Sequence, residues 1–307
     1  MNNIKHLGLE CASLQNERIT LLVPREVGPR IAALFIDDEN IFAELPDLKI
    51  DNPDGDPFRF WGGHRLWYGP EIPERTYLPD SIPPEIEISV GRIVSTQLPE
   101  SETGIQKSIS AWLPNDWPRV IVDHFLTNKG KESILCAPWA ITQLKPGGTA
   151  ILPLYSGNTD PHGLQPNRSI ALWPYTDINS GHIIWGNRYT FVEADMNEGA
   201  LKVGLPNPVG WIAYCRNNKL FVKHASFEAE ASYLDFSSSS QCYCNEHFLE
   251  LETLGPRIAL EPGKSVSHRE VWEIFTDFEH SRDELELGEK LKVIDVQRSR
   301  AFLTDEG

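Results

Sequence analysis

The chain has 307 residues, enough for one large core or two modest ones. Its 44 acidic residues outnumber 28 basic ones, the formal charge is −16, and no Lys/Arg run interrupts the acidity, which argues against nucleic acid as a partner. No apolar run is long enough to span a bilayer, and Met1 to Pro24 lacks a basic segment followed by a long apolar one; the expectation is a cytoplasmic protein with no membrane partner.

Five scattered cysteines (Cys11, Cys136, Cys215, Cys242 and Cys244) fit buried thiols in a reducing compartment better than a disulfide framework. Asn167-Arg168-Ser169 matches a glycosylation acceptor, a pattern without meaning in a protein that is not exported.

In chain order, residues 18–44 read as β-rich runs broken at Pro24, Gly28-Pro29 and the acidic turn from Asp37 to Asn40. Residues 46–57, rich in Asp, Asn and Pro, read as a loop. Gly62-Gly63 then allows a bend that aims His64 and Arg65 between flanking aromatics, among them Trp67. Five prolines in 69–85 exclude a helix or a central strand and suggest a long surface loop that walls a cleft. Strands are expected over 91–97 and 106–112. The runs 119–127 and 133–142 flank Asn128-Lys129-Gly130-Lys131 as a predicted hairpin, with Pro138 marking a bulge or an edge. Two polar loops follow, 156–168 with His162 and 176–187 with Asp177, His182 and Trp185. Lys202 sits in a short run before a second predicted hairpin, 210–215 and 220–224, which places Phe221 and Lys223 on one face and Val222 on the other. Only the tail, about 283–299, looks helical.

The stretch Cys242 to Phe275 reads as an antiparallel meander. Period-two alternation puts Leu249 and Leu251 on one face and Phe248, Glu250 and Glu252 on the other, the two carboxylates roughly 7 Å apart. Such a pair either forms the solvated side of a half-buried sheet or, with water excluded, raises its own pKa values into the range of a general base. Strand after strand with 23 prolines and 22 glycines, and no alternation of strands with helices, predicts an all-β protein: one large antiparallel β-sandwich over residues 1–280 and a partly helical tail over 281–307.

There is no phosphate-cradling glycine loop, no Gly-x-Ser-x-Gly elbow and no His-Glu-x-x-His pair, so no cofactor is expected. Cys242, Cys244 and His247 lack the spacing of a zinc site, and no metal is expected either. Trp61, Trp67, Trp139 and Trp185 stand beside turns and polar residues, where an indole either fills the core or stacks on a sugar ring. The sequence carries no signal for an oligomeric state.

Taken together, Gly28 to Leu34, Leu126-Thr127-Asn128-Lys129-Gly130, and Leu251-Glu252-Thr253 followed by Pro262-Gly263-Lys264 resemble the galactose mutarotase superfamily, the aldose 1-epimerases and their relatives. Gly62-Gly63-His64-Arg65-Leu66-Trp67, Ala137-Pro138-Trp139 and Leu249 to Pro256 resemble an uncharacterised branch of it, a domain of unknown function. The resemblance runs over residues 18–276 and implies a sandwich that binds a small-molecule carbohydrate. It also implies acid–base isomerisation at the anomeric carbon, with Glu252 matching the family's basic glutamate by position. For the acid, His64 is the expected residue, because an imidazole donates protons near neutrality. Arg65, Trp67, Trp139, Lys202, Lys223 and Glu250 are the expected substrate contacts. The family's His-Pro-Tyr-Phe motif is here Ala137-Pro138-Trp139-Ala140, so a principal acid is missing, and either His64 or His182 replaces it or the site binds sugar without turnover. A sugar-acid ligand held by Arg65, Arg188, Lys202 and Lys223 is a further alternative.

Overall fold

A computed structural model describes residues 4–52, 55–114 and 117–304. Among them the strands gather into three antiparallel sheets. A five-stranded N-terminal sheet spans Ile4–His6 to Glu39–Asn40. A ten-stranded sheet has Trp211–Arg216, Lys219–Ala225, Ser265–Phe275 and Arg119–Asn128 side by side at its centre. A nine-stranded sheet places Ala200–Leu205, Ser240–Asn245, Leu249–Leu254, Ile134–Leu144 and Phe58–Gly69 in that spatial order. The two large sheets share one core, in which Leu66, Leu249 and Leu251 of the nine-stranded sheet meet Val122, Phe221, Trp272 and Ile274 of the other. The expected all-β sandwich with a short C-terminal helix is the architecture found. The helix is Glu284–Val293, capped by Asp283, whose side chain accepts from the backbone N–H groups of Leu285 and Glu286.

The second predicted hairpin is present, with Arg216 opposite Lys219 and a two-residue turn in which Asn217 and Asn218 adopt φ of 51° and 55°. The first is not a hairpin. Arg119–Asn128 belongs to the ten-stranded sheet and Ile134–Leu144 to the nine-stranded one, so the Asn128–Lys131 turn is a corner between sheets. Asn128 holds that corner: its Nδ2 donates to the carbonyls of Glu132 and Leu260, and its Oδ1 accepts from the Gly130 N–H. A tight turn has the same chemistry whether the chain returns to its own sheet or crosses to the facing one.

The expected meander divides in the same way. Ser240–Asn245 and Leu249–Leu254 pair, but Ser265–Phe275 crosses to the other sheet. The expected loop 46–57 is strand as far as Ile50, pairing with the start of Phe58–Gly69; Pro53 and Asp54 lie outside the described residues. Pro138 sits where the partner of its strand changes from Ile258–Leu260 to Leu249–Leu254, a break that tolerates a residue without an N–H.

Gly62 and Gly63, with φ of 84° and 75°, form the bend at which Phe58–Gly69 passes from one set of partners to another. A Cβ there would lie 1.9 Å from the Ala43 carbonyl oxygen at Gly62 and 2.2 Å from that of Ile31 at Gly63. No helix among the described residues is long and apolar enough to cross a membrane. All five cysteines are buried free thiols.

Candidate active site

The registers of the nine-stranded sheet decide which side chains meet. Lys202 pairs with Tyr243, Tyr243 with Glu250, and Glu250 with Gln143, so these four stand in one row across neighbouring strands and on one face. The next row on that face runs Gln241, Glu252, Ile141, Arg65 and Arg30, and the row beyond it holds Leu254, Trp139 and Trp67. This is the face turned away from the inter-sheet core. It forms the floor of a cavity of about 430 Å³, walled by Leu48 and Ile50 on one side and by Trp173 and Tyr175 on the other.

Arg65, Trp67, Trp139, Lys202 and Glu250 all line this cavity, so five of the eight expected site residues converge on it. Glu250 accepts from Arg65 Nη2 and Gln143 Nε2, each at 3.0 Å. Burial pushes its carboxyl up to about 7; Arg65 opposes that rise and Glu252 reinforces it. Glu252 shares the face but is 0% exposed and stands beneath the floor. Its Oε2 accepts from Trp139 Nε1 at 2.6 Å and from Lys202 Nζ at 2.8 Å, so it fixes both an aromatic wall and a cation. The Lys202 ammonium lies 4.7 and 4.8 Å from ring centroids of Trp139 and Trp173. The Arg65 guanidinium lies 4.2 Å from the ring centroid of Trp67, which packs edge-on against Trp139 with centroids 5.3 Å apart.

His64 and Lys223 are not brought to this cavity. Alternation along Phe58–Gly69 sends His64 to the face opposite Arg65, into the core between the sheets. There its Nδ1 meets Thr142 Oγ1 at 2.9 Å and its Nε2 meets His124 Nε2 at 2.7 Å, while His124 Nδ1 donates to the His268 carbonyl. One set of tautomers satisfies the chain: Thr142 donates to His64, His64 to His124, and His124 to the carbonyl. Lys223 enters the same core from the facing sheet. It pairs with Glu270 at 2.9 Å and donates to the carbonyls of Leu251 and Ala140. Glu270 also accepts from Thr253 and Trp272 Nε1.

His64, His124 and Glu270 have donor atoms within 4.8 Å of one another, the spacing of a metal site. Lys223 already supplies the cation there, and two Nε2 atoms at 2.7 Å fit a shared proton better than ligation of one ion. His182 pairs with Asp195 at 2.7 Å, away from the cavity lining, and Arg188 is exposed beside the C-terminal helix.

Sequence reasoning passed over Trp173, Tyr175, Tyr243 and Gln143; Phe248, which it placed on the face of the two carboxylates without a role, lines the cavity as well. The first two arrive on the irregular excursion between Leu154 and Arg188, where no period predicts orientation. Tyr243 and Gln143 are neighbours of Glu250 only through strand register. A larger groove, about 650 Å³, runs along the C-terminal helix between Tyr155 and Gln297. Its charged groups Arg188, Lys292 and Asp295 are all exposed, so the smaller cavity, with its buried ionisable groups, is the better candidate.

No protein-family model and no curated protein matches the chain. Solved structures do. A galactose mutarotase-like protein from Lactobacillus casei superposes with a TM-score of 0.59 at 10% identity, covering 86% of this chain and 100% of that one. A candidate aldose 1-epimerase from Escherichia coli K12 gives 0.53 at 12% identity, covering 88% and 100%. A TPR-domain-containing protein from Parabacteroides distasonis gives 0.60 at 15% identity, covering 89% of this chain and 48% of that one. At such identities the likeness establishes a galactose mutarotase-like fold.

Proposed function

We propose that the chain binds a monosaccharide in the cavity above Glu250 and interconverts its anomers, with Glu250 as the base. The observation that carries this reading is a carboxylate held near pH 7 on the floor of an indole-walled cavity, in a galactose mutarotase-like fold. Glu250 takes the proton of the anomeric hydroxyl while Lys202 gives one to the ring oxygen. The bond between that oxygen and the anomeric carbon breaks, leaving an open-chain aldehyde. After rotation about the adjacent carbon–carbon bond the ring closes on the other face and both protons return. Glu252 is a positioning residue in this scheme, because it touches Lys202 and Trp139 and does not line the cavity.

The test is the relaxation of freshly dissolved α-anomers of common aldoses, followed by polarimetry. Acceleration for at least one sugar is expected, reduced by about 100-fold or more in Glu250→Gln, the scale of a lost general base. Sugar binding without acceleration refutes turnover and favours a second reading, a carbohydrate-binding protein without catalysis. One observation favours that second reading: His64 and His182 both lie off the cavity, and the imidazole lining it, His247, is half-exposed.

A further inference from the structure

The two ion pairs at the cavity floor leave cationic capacity unused. Lys202 gives one of its three N–H donors to Glu252. Arg65 gives Nη2 to Glu250, while its Nε and Nη1 have no hydrogen-bond partner although the residue is only 3% exposed. Buried donors left unpaired are costly and rare, and at a cavity wall they mark a place where a ligand completes the bonding. The carboxylates do not balance these cations evenly. Glu252 Oε2 is shared between Lys202 and Trp139, and burial favours the neutral form of Glu250. At the cavity walls Lys49 and His247 add basic groups and Glu71 an acidic one. The two buried cations are each paired with a buried carboxylate, and what remains for an anion is their unpaired N–H donors, an unusual provision in a chain of net charge −16.

We propose that the ligand of this cavity is an acidic pyranose, a sugar bearing a carboxylate or a phosphate, whose anionic group is received by Lys202 and Arg65. The inference rests on the saccharide reading above and names its substrate class. Of the four cations that the sequence offers for such a role, only these two reach the cavity; Lys223 is held by Glu270 in the core and Arg188 lies on the surface. Glu250 faces Arg65, Gln143, Glu252, Lys202 and Tyr243 from the strands around it, and Tyr77 and Tyr175 from the loops. An anion entering among these groups favours protonated Glu250, and ionised Glu250 repels the anion. Affinity for an acidic sugar is therefore greatest below pH 7 and declines as pH rises through that value.

Calorimetric titration at pH 6 and pH 8 with D-glucuronate, D-galacturonate, the 6-phosphates of glucose and galactose, and the two parent hexoses tests this. At pH 6 an acidic sugar should bind about tenfold or more tighter than its parent, the scale of one charge-assisted hydrogen bond, and for the uronates, whose charge is the same at both pH values, the ratio should shrink at pH 8. Tighter binding by the uronate or by the phosphate identifies which anion the site takes. Lys202→Gln should abolish the preference and Lys202→Arg retain it, with thermal melts confirming that both fold. Glu250→Gln should keep the preference and remove its pH dependence. Parents and acids binding equally at pH 6, or a preference lost in Glu250→Gln, overturns the inference and leaves the saccharide reading standing; failure of every pyranose to bind overturns both.

Discussion

Lys223→Met probes the polar cluster that joins the two large sheets. The substitution keeps the length of the side chain and removes its ammonium, so Glu270 retains Thr253 and Trp272 as donors but loses its counter-charge where neither residue is exposed to water. Burial by itself favours neutral Glu270, but Lys223 and the neighbouring imidazoles more than offset this and hold its carboxyl below the usual range. Removing one member of such a pair costs about 3–5 kcal/mol, a large part of the roughly 5–15 kcal/mol that holds a folded protein together. The corresponding fall in Tm is of order 10 °C. Lys223→Met combined with Glu270→Gln should recover about 1–3 kcal/mol of the loss, since no uncompensated charge remains and the amide oxygen still accepts from Trp272. Urea unfolding followed by tryptophan fluorescence reads both variants. A single variant within about 1 kcal/mol of the parent, or a double variant whose loss equals the sum of the two singles, would refute the account of this core.

Four other outcomes follow. Burial lowers the pKa of His64 well below its usual value and takes His224 and His268 down to about 3, so the folded chain binds fewer protons than the unfolded one below about pH 6.5. Their stabilisation is complete above that pH and is lost as pH falls toward 3. Glu250, raised to about 7, has the opposite sign and offsets about one proton, while His6, His124 and His280 are lowered as well, so a net uptake of protons on unfolding near pH 5 is expected, read as a stability that rises with pH in urea titrations. Gly62→Ala must displace the Ala43 carbonyl and force a left-handed φ on a side chain; a loss above about 2 kcal/mol is expected, and a neutral result in thermal melts would contradict the tight bend. Glu252→Gln should lower kcat as well as raise KM, since it loosens the proton donor Lys202 and the wall Trp139 without removing the base, and an unchanged kcat would contradict the role given to Lys202. Trp139→Phe keeps one aromatic ring but removes the pyrrole half of the indole with the N–H held by Glu252; a several-fold or greater weakening of sugar affinity by calorimetry is expected, at least the scale of about 1 kcal/mol for one hydrogen bond.

The fold was legible wherever one side of a strand is oily. The alternation Leu249, Leu251 against Glu250, Glu252 predicts the two faces that the structure builds, because a sheet with one face in a core cannot slip by one residue. The same rule, applied to His64 and Arg65, places them on opposite faces; the Gly62-Gly63 bend suggested that both were aimed together, and alternation resumes directly after it. Pairing was less legible. The Asn128–Lys131 turn and the Asn217-Asn218 turn use similar residues, yet one crosses between sheets and the other closes a hairpin, a difference set by residues far away in the chain. The choice between Glu250 and Glu252 also lay beyond sequence, since it depends on Trp139 and Lys202 converging from two other strands to cover the second carboxylate.

The most direct test of the central claim is a crystal of the protein soaked with the pyranose that binds tightest in calorimetry. The account predicts a sugar ring beside Trp139 and Trp67, with its anomeric hydroxyl within about 3 Å of the Glu250 carboxylate, the reach of a general base. A sugar seated instead in the groove along the C-terminal helix, or one whose anomeric hydroxyl faces away from Glu250, contradicts it.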